Sequence, residues 1–150
     1  MLIRHILAAL LTVALSSAAM AFGGGDSSKS ADYEQGVKAV KAKDYGAAMG
    51  LFKKAVAANP KDADAWNYLG YSHRQMQQFD PALVAYRKAL AIDPKHLGAN
   101  EYLGELYLQT GDLAKAKEQA KKLYDLCFTG CEEEDDLKKA IEVYVAAHKG

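Results

Sequence analysis

The sequence is poor in cysteine, proline and tryptophan, and it has no excess charge of either sign. Two cysteines in 150 residues are too few for a disulfide-built domain or a four-thiolate zinc site. Lysine and arginine number 19 and so do aspartate and glutamate, which argues against a nucleic-acid partner, because such binders need a clustered basic excess. With 50% hydrophobic and 25% charged residues, one sizeable core is expected and wholesale disorder is not.

The first 21 residues differ in composition from the rest of the chain. They contain a single arginine, no acidic residue, and an apolar run over 6–15 that ends in small residues. This run is shorter than the roughly 20 residues that cross a bilayer, and an Ala-Met-Ala pattern closes it at 19–21. The order is typical of a secretory signal peptide cleaved after Ala21. We therefore expect a signal peptide over 1–21, a flexible leader over 22–28, and a periplasmic or secreted mature chain that does not insert into a membrane.

Residues 29–130 repeat themselves with a period of 34. Written in rows of that length, small residues share two columns and aromatic residues recur in a third. These columns are Gly36, Gly70 and Gly104; Ala48, Ala82 and Ala116; and Phe52, Tyr86 and Ala120. Asn59-Pro60 and Asp93-Pro94 end the first two rows, because proline disfavours helix in the residue before it. Phe128 stands at the corresponding place in the third row.

This pattern resembles the tetratricopeptide repeat (TPR), a helix–turn–helix unit. The middle row carries the family's signature residues, which are Trp66, Leu69, Gly70, Ala82, Tyr86, Ala89 and Pro94. In the outer rows, Asp32 and Asn100 replace the tryptophan. The resemblance implies an all-α solenoid of three repeats, over about 29–62, 63–96 and 97–130.

Local chemistry explains several of these positions. Gly70 and Ala82 are expected to be small because the two helices of a hairpin cross closely there. Asp80-Pro81 predicts an N-cap followed by the first helical residue. A carboxylate at the N-cap accepts hydrogen bonds from first-turn amides that have no partner within the helix, and proline has no amide hydrogen to leave unpaired. Gly111-Asp112 predicts the tight turn between the two helices of the third repeat.

A stack of repeats cannot end on an apolar face, and residues 132–148 have the pattern of a lid. One helical stripe of this segment carries Leu137, Ala140, Ile141, Tyr144, Val145 and His148. We therefore expect a C-terminal capping helix over 132–148 that covers the third repeat and completes a TPR domain over 29–148.

Cys127 and Cys131 lie between the last repeat and the cap. Thr129 and Gly130 are expected to break the helix between them, which makes a disulfide feasible, and an oxidising compartment favours it. The pair is similar to that of secreted bacterial TPR proteins, which implies no activity. Two alternatives stay open. A redox-active pair is opposed by the acidic run 132–136, and a metal–thiolate site would need further ligands such as His148.

No catalytic site is expected. No nucleophile is paired with a histidine at a recognisable spacing, and no glycine-rich phosphate loop occurs in the sequence. The acidic run 132–136 suits the first turn of a helix, and it lacks the Asp/Asn and glycine spacing of a calcium loop. We therefore expect no cofactor and no metal.

The family's inner groove supplies the remaining candidate residues, at fixed positions of the first helix in each repeat. Carried onto this chain, they are Tyr33, Val37, Val40 and Lys41; Asp64, Asn67, Tyr71, Arg74 and Gln75; and Glu101, Glu105, Leu108 and Gln109. Tyrosine and arginine are the types that anchor interfaces. The groove residues therefore predict a non-enzymatic protein–protein interaction module, a scaffold or adaptor in the bacterial cell envelope that binds a protein or peptide segment.

The sequence does not identify the partner, but it argues against one class. TPR domains with a carboxylate clamp need Lys and Asn in the first repeat and basic residues in the third. Here those places carry Tyr33, Val37, Glu101 and the neighbouring Tyr102, so the clamp is absent. Two alternative functions remain: a self-assembling scaffold that forms homo-oligomers, and a redox or metal-handling protein that uses Cys127 and Cys131.

Overall fold

A computed structural model describes residues 29–148, which form seven α-helices and no strand. The helices are α1 Ala31–Lys41, α2 Tyr45–Ala58, α3 Ala63–Gln75, α4 Phe79–Ile92, α5 Leu97–Gln109, α6 Leu113–Leu126 and α7 Glu132–Ala147. The prediction of an all-α solenoid of TPR hairpins is confirmed. The expected signal peptide over 1–21 and leader over 22–28 lie outside the described residues. Within 29–148, no helix has both the length and the apolar character needed to cross a membrane.

Side-chain caps start most of the helices. The carboxylates of Asp44, Asp62 and Asp112 each accept a hydrogen bond from the backbone amide three residues later, at 3.0–3.1 Å. Gly111, with φ of 83°, makes the turn before α6 that the sequence predicts. These short polar turns hold each pair of helices as a hairpin, with three residues between α1 and α2, α3 and α4, and α5 and α6.

The predicted start of α4 is wrong. The helix begins at Phe79 and its N-cap is Gln78, so Asp80 and Pro81 both lie inside the first turn. Proline is tolerated there because first-turn amides have no partner within the helix. The Gln78 side chain makes no cap bond; its Oε1 atom lies 2.7 Å from Nδ1 of His73 instead.

The glycine column marks places where another helix covers the backbone. A Cβ atom added to Gly36 would lie 2.8 Å from the ring of Phe52, and one on Gly70 would lie 2.7 Å from the ring of Tyr86. The expected close crossing within each hairpin is thus present, and an aromatic ring fills it. In the third repeat Ala120 has no ring, and a Cβ on Gly104 would meet Leu137 of α7 at 2.5 Å.

The last helix leaves the regular stack. In the earlier steps, the first helix of a repeat packs mainly on the second helix of the repeat before it, whereas α7 packs chiefly on α5 and less on α6. The predicted stripe faces this contact: Leu137 is fully buried, while Ala140, Ile141, Tyr144 and Val145 are half-buried. His148 is exposed and stacks on Tyr144, with ring centres 4.0 Å apart. Because it leans on α5, α7 stands over the face that α1, α3 and α5 form.

Trp66 belongs to the other end of the molecule. It is half-buried and packs on the apolar cluster that joins the first two repeats, next to Leu69. Its indole Nε1–H donates a hydrogen bond to the carbonyl of Pro60 at 3.0 Å, and the ammonium group of Lys88 lies 5.9 Å from its ring. The second apolar cluster joins α4 of the second repeat and the whole third repeat to α7, and it includes Tyr86 and Leu137.

A polar chain links the starts of α1, α3 and α5. The ammonium group of Lys29 lies 2.7 Å from carboxylate oxygens of both Asp62 and Asp64. His96 caps α5, because its Nδ1 accepts the amide of Ala99 at 3.1 Å. Its Nε2 must then carry the hydrogen, and it donates to Asp64 at 3.0 Å. His96 therefore holds the second and third repeats together.

Candidate protein-binding groove

Arg74 stands at the centre of the face between α3 and α5. Its Nη2 atom lies 2.5 Å from Oε2 of Glu105, and its Nε–H donates to the hydroxyl of Tyr86 at 3.3 Å. The guanidinium carbon lies 5.4 Å from the ring centre of Tyr71 and 5.5 Å from that of Tyr102. Burial works against the charge, but Tyr86 and Glu105 outweigh it and raise the pKa of Arg74. The arginine is therefore a permanent cation in a largely aromatic setting.

The tyrosines next to this guanidinium belong to a chain of aromatic rings that draws on three repeats. The rings of Tyr71 and Tyr102 are 5.0 Å apart, and the ring of Tyr45 at the start of α2 lies 5.9 Å from that of Tyr71. The family rule selected Tyr71 but missed Tyr45, because it considers only the first helix of each repeat. It also missed Tyr102 as a groove residue, although Tyr102 follows Glu101 directly. Burial raises the pKa of Tyr102, so its hydroxyl stays protonated and can donate a hydrogen bond.

A cavity of about 820 Å³ opens between this cluster and α7. One side of it is formed by α3, α5 and the turn that follows, through Arg74, Glu105, Leu108, Gln109 and Gly111. The other side is α7, through Asp136, Lys139, Ala140, Val143, Tyr144, Ala147 and His148. The volume lies within the range of pockets that hold small ligands or peptide side chains. The predicted cap is therefore also a wall of the groove.

The other predicted groove residues lie apart from this cavity. Tyr33 and Val37 pack on the cluster of the first repeat, and the ring of Tyr33 lies 5.7 Å from that of Phe52. Lys41 and Gln75 are exposed near the ends of their helices. The structure thus brings Tyr71, Arg74, Glu105 and Leu108 together, and it leaves the first-repeat residues outside the cavity.

Asn67 is a groove candidate that the fold has buried. Its side chain is 5% exposed, and among residues 29–148 its Oδ1 atom accepts no hydrogen bond. Its Nδ2 atom lies close to Gly98, where an added Cβ would approach it to 3.2 Å. The buried amide therefore packs against the start of α5 and retains a free acceptor.

Glu101 is the most unusual carboxyl group of the site. It is only 7% exposed and forms no ion pair or hydrogen bond through its side chain with the residues that the structure describes. Burial first, and then the charges of Glu105, Asp136 and Glu133, raise the pKa of Glu101 to about 8. Arg74 offsets this only in part. At neutral pH the Glu101 side chain is therefore mostly an uncharged acid.

The cysteine pair lies at the opposite end of α7 from His148. Cys127 and Cys131 form a disulfide with an S–S length of 2.03 Å and a Cα–Cα distance of 5.6 Å, and Gly130 turns the loop with φ of 86°. Phe128 does not close the third repeat as the proline position predicts, since it is 99% exposed at the tip of this loop.

A metal–thiolate site that uses His148 is wrong, because His148 lies far from the two cysteines. The carboxyl group near the two sulfurs belongs to Glu134, whereas α7 has 16 residues and so separates His148 from the disulfide by about 24 Å. In the disulfide state neither sulfur is a thiolate, which is the form that binds metal.

Comparison with known proteins supports the repeat assignment. Two family models described as tetratricopeptide repeat match residues 63–96 and 85–118. A search of curated proteins finds no match.

Solved structures share the fold over most of this chain. The type III secretion translocator chaperone SycD of Yersinia enterocolitica is 20% identical, with a TM-score of 0.71, over 79% of this chain and 84% of its own. SycD in complex with a peptide of the translocator YopD is 22% identical, with a TM-score of 0.66, over 77% of this chain and 88% of its own. The first TPR of Spaghetti (RPAP3), bound to an HSP90 peptide, is 19% identical, with a TM-score of 0.67, over 76% of this chain and 90% of its own. The family models thus show tetratricopeptide repeats over residues 63–118, and the solved structures show that most of this chain shares their fold of stacked helical hairpins.

Proposed function

We propose that this protein is an exported, non-enzymatic TPR adaptor that binds a segment of another protein on the face formed by α3, α5 and α7. One observation carries the proposal: Arg74, Tyr71 and Glu105 meet beside an open cavity of about 820 Å³. A preformed surface of this kind receives a flexible segment at little ordering cost to itself. Nothing in the arrangement points to a catalytic step.

The residue types support a binding role. Tyrosine and arginine dominate the energetics of protein interfaces, especially where they are partly buried and held by neighbours. The Tyr71 side chain is half-buried and so keeps accessible surface, and the guanidinium of Arg74 packs against its ring. Structures with the same fold have been solved with peptides of partner proteins bound, which makes a peptide segment the natural occupant here.

The charge of the site distinguishes it from clamps that hold acidic tails. The HSP90 peptide in the RPAP3 complex ends in Glu-Glu-Val-Asp. The groove of this chain carries Glu101, Glu105 and Asp136, and Glu101 is already forced toward its neutral form. An acidic tail would add repulsion where carboxyl groups are crowded. The partner is therefore of a different class.

We also propose that the protein acts in the bacterial cell envelope. The support is the composition of residues 1–21, together with a disulfide of the kind that persists in oxidising compartments. N-terminal sequencing of protein purified from an envelope fraction should give Phe22 as the first residue. Ala19→Lys should block cleavage and leave the longer chain, whereas Ser28→Lys, outside the cleavage site, should not. Retention of Met1 in exported protein would refute the cleavage.

Site-directed photocrosslinking tests the binding role. A photoreactive phenylalanine analogue at Gln75, beside Tyr71, should give one discrete adduct in intact cells, and the same analogue at Lys117 on α6 should not. Tyr71→Ala should remove the adduct, while Tyr124→Ala, a matched change at an exposed tyrosine on α6, should keep it. Circular dichroism should show unchanged helicity for both variants.

Two results would count against the adaptor. An adduct that persists in Tyr71→Ala would show that the α3–α5 face is not the binding surface. An adduct with twice the mass of the chain would replace the adaptor by the self-assembling scaffold, and light scattering at several protein concentrations would check that result.

A further inference from the structure

The cavity beside α7 has features that a bare stack of repeats does not supply. Half of its lining residues belong to α7, which leans on α5 instead of continuing the solenoid, and His148 at the C-cap of α7 adds one more. Among them Ala140, Val143 and Tyr144 present apolar surface across from Leu108 of α5. The helix that ends the array therefore contributes its own side chains to the groove.

Val143 shows that this apolar surface is incomplete. It is 63% exposed, although it lines a concavity together with the apolar side chains of Leu108, Ala140 and Ala147. Water next to a concave apolar wall is released when an apolar group enters, and that release is the driving force of hydrophobic binding. An aliphatic or aromatic side chain of a partner would fit between Val143 and Leu108.

The charged groups around the cavity determine which residue of the bound segment can lie next to that apolar side chain. Two acidic groups, Glu105 and Asp136, line it, and both of them act on the pKa of Glu101 together with Glu133. The cations are Arg74, which is held by Glu105, and Lys139. Among the described residues Asp136 forms no ion pair.

Glu101 is affected by the same group of carboxylates. It is more than nine-tenths buried, and the charges of Glu105, Asp136 and Glu133 act on it, offset only in part by Arg74. A lysine or arginine brought to this cluster would let Glu101 ionise and would relieve the repulsion among the four carboxyl groups. An acidic residue would increase it.

We propose that the cleft between α5 and α7 is a subsite for one apolar side chain of the bound segment, with a lysine or arginine of that segment beside it at Asp136. This assignment rests on the proposed binding role of the α3–α5 face and adds a specificity to it. The seventh helix then selects the partner and does not merely close the array.

Selection from a random peptide library tests the assignment. The full, oxidised mature chain serves as bait for phage-displayed 12-residue peptides, and an enriched peptide is then made synthetically with a fluorescent label. The enriched sequences should share an aliphatic or aromatic residue next to lysine or arginine. Anisotropy titrations should show that replacing that basic residue by glutamate weakens binding at least about tenfold.

Paired variants locate the peptide. Val143→Glu should weaken its binding by about tenfold or more, and Val84→Glu, at a valine with similar exposure on α4, should change it less than about twofold. Asp136→Lys should weaken it by about tenfold, whereas the neighbouring Asp135→Lys, which faces away from the cavity, should have little effect.

The outcomes separate this assignment from the proposed function. Peptides that bind Val143→Glu normally but lose affinity for Tyr71→Ala would overturn the α7 subsite and leave the groove intact. Peptides insensitive to both changes would overturn both. Enrichment of acidic sequences, or of none, would also overturn the subsite.

Discussion

Leu137 of α7 covers Gly104 of α5 in the way that Tyr86 covers Gly70 one repeat earlier. An added Cβ would meet Leu137 at 2.5 Å and Tyr86 at 2.7 Å, respectively. The replacement is needed because Ala120 occupies the position where the earlier repeats have an aromatic ring. The third repeat is thus completed by a residue that lies outside it, which makes α7 a structural part of that repeat.

The Gly104–Leu137 contact predicts strong coupling between two substitutions. Leu137→Ala should lower the free energy of unfolding by about 3 kcal/mol, since a fully buried leucine leaves a cavity. Gly104→Ala should destabilise the wild type through the clash but stabilise the Leu137→Ala variant by up to about 1 kcal/mol, because alanine favours helix. Urea unfolding of the four proteins measures the coupling. Additive effects would show that the two side chains do not share the space.

The disulfide predicts a redox dependence of stability that involves a single loop. Reduction of Cys127–Cys131 should lower the free energy of unfolding by about 2 kcal/mol, the loop-entropy value for so short a ring. The Cys127→Ser/Cys131→Ser variant should match the reduced protein and should not respond to reductant. Urea midpoints with and without dithiothreitol provide the measurement, and an unchanged wild-type midpoint would contradict a stabilising role.

The Arg74–Glu105 pair predicts that removing only one charge is harmful. Arg74 is 5% exposed and Glu105 26% exposed, so Glu105→Gln leaves a buried cation without its partner and should cost about 2 kcal/mol, less than for a fully buried pair. Asp125→Asn breaks the solvent-exposed pair with Lys121 and should cost less than about 0.5 kcal/mol. Thermal or urea unfolding compares the two, and equal costs would refute the buried pair.

Glu101 predicts a loss of stability as pH rises. In the unfolded chain its pKa is near 4.5, and in the fold it is about 8, so the folded state binds more protons between these values. The penalty is absent below pH 4.5, grows up to about pH 8 and is then constant. Glu101→Gln should therefore stabilise the protein more at pH 8.5 than at pH 5, and the exposed Glu142→Gln should not. A pH-independent difference would contradict the shift.

The architecture could be predicted from the sequence because helix packing repeats. The glycine and alanine columns indicate where helices cross, and Asn59-Pro60 and Asp93-Pro94 indicate where helices end. Both features can be recognised from a few neighbouring residues. The start of α4 was predicted wrongly at Asp80, because its capping signal competes with a helix that begins at Phe79 without a side-chain cap. The tilt of α7 onto α5 could not be predicted, since it depends on the space left by Ala120.

Part of the site could also be predicted, because the packing of the helices repeats. The family positions found Tyr71, Arg74 and Glu105, which the stacking of α3 against α5 brings together. They could not show that Arg74 and Glu101 would be buried, because burial depends on the side chains that pack around each position, such as Tyr86 and Tyr102 around Arg74. Tyr45 lies on a second helix and reaches Tyr71 only through the stacking of neighbouring repeats.

The position of Trp66 has a spectroscopic consequence. It is the only tryptophan of the chain and lies at the junction of the first two repeats, far along the array from α7. Repeat arrays unfold through nearest-neighbour steps, so intrinsic fluorescence excited at the red edge of the absorption band reports on this junction alone. Far-ultraviolet circular dichroism averages all the helices. Any difference between the two unfolding curves therefore measures how independently the C-terminal end of the protein melts.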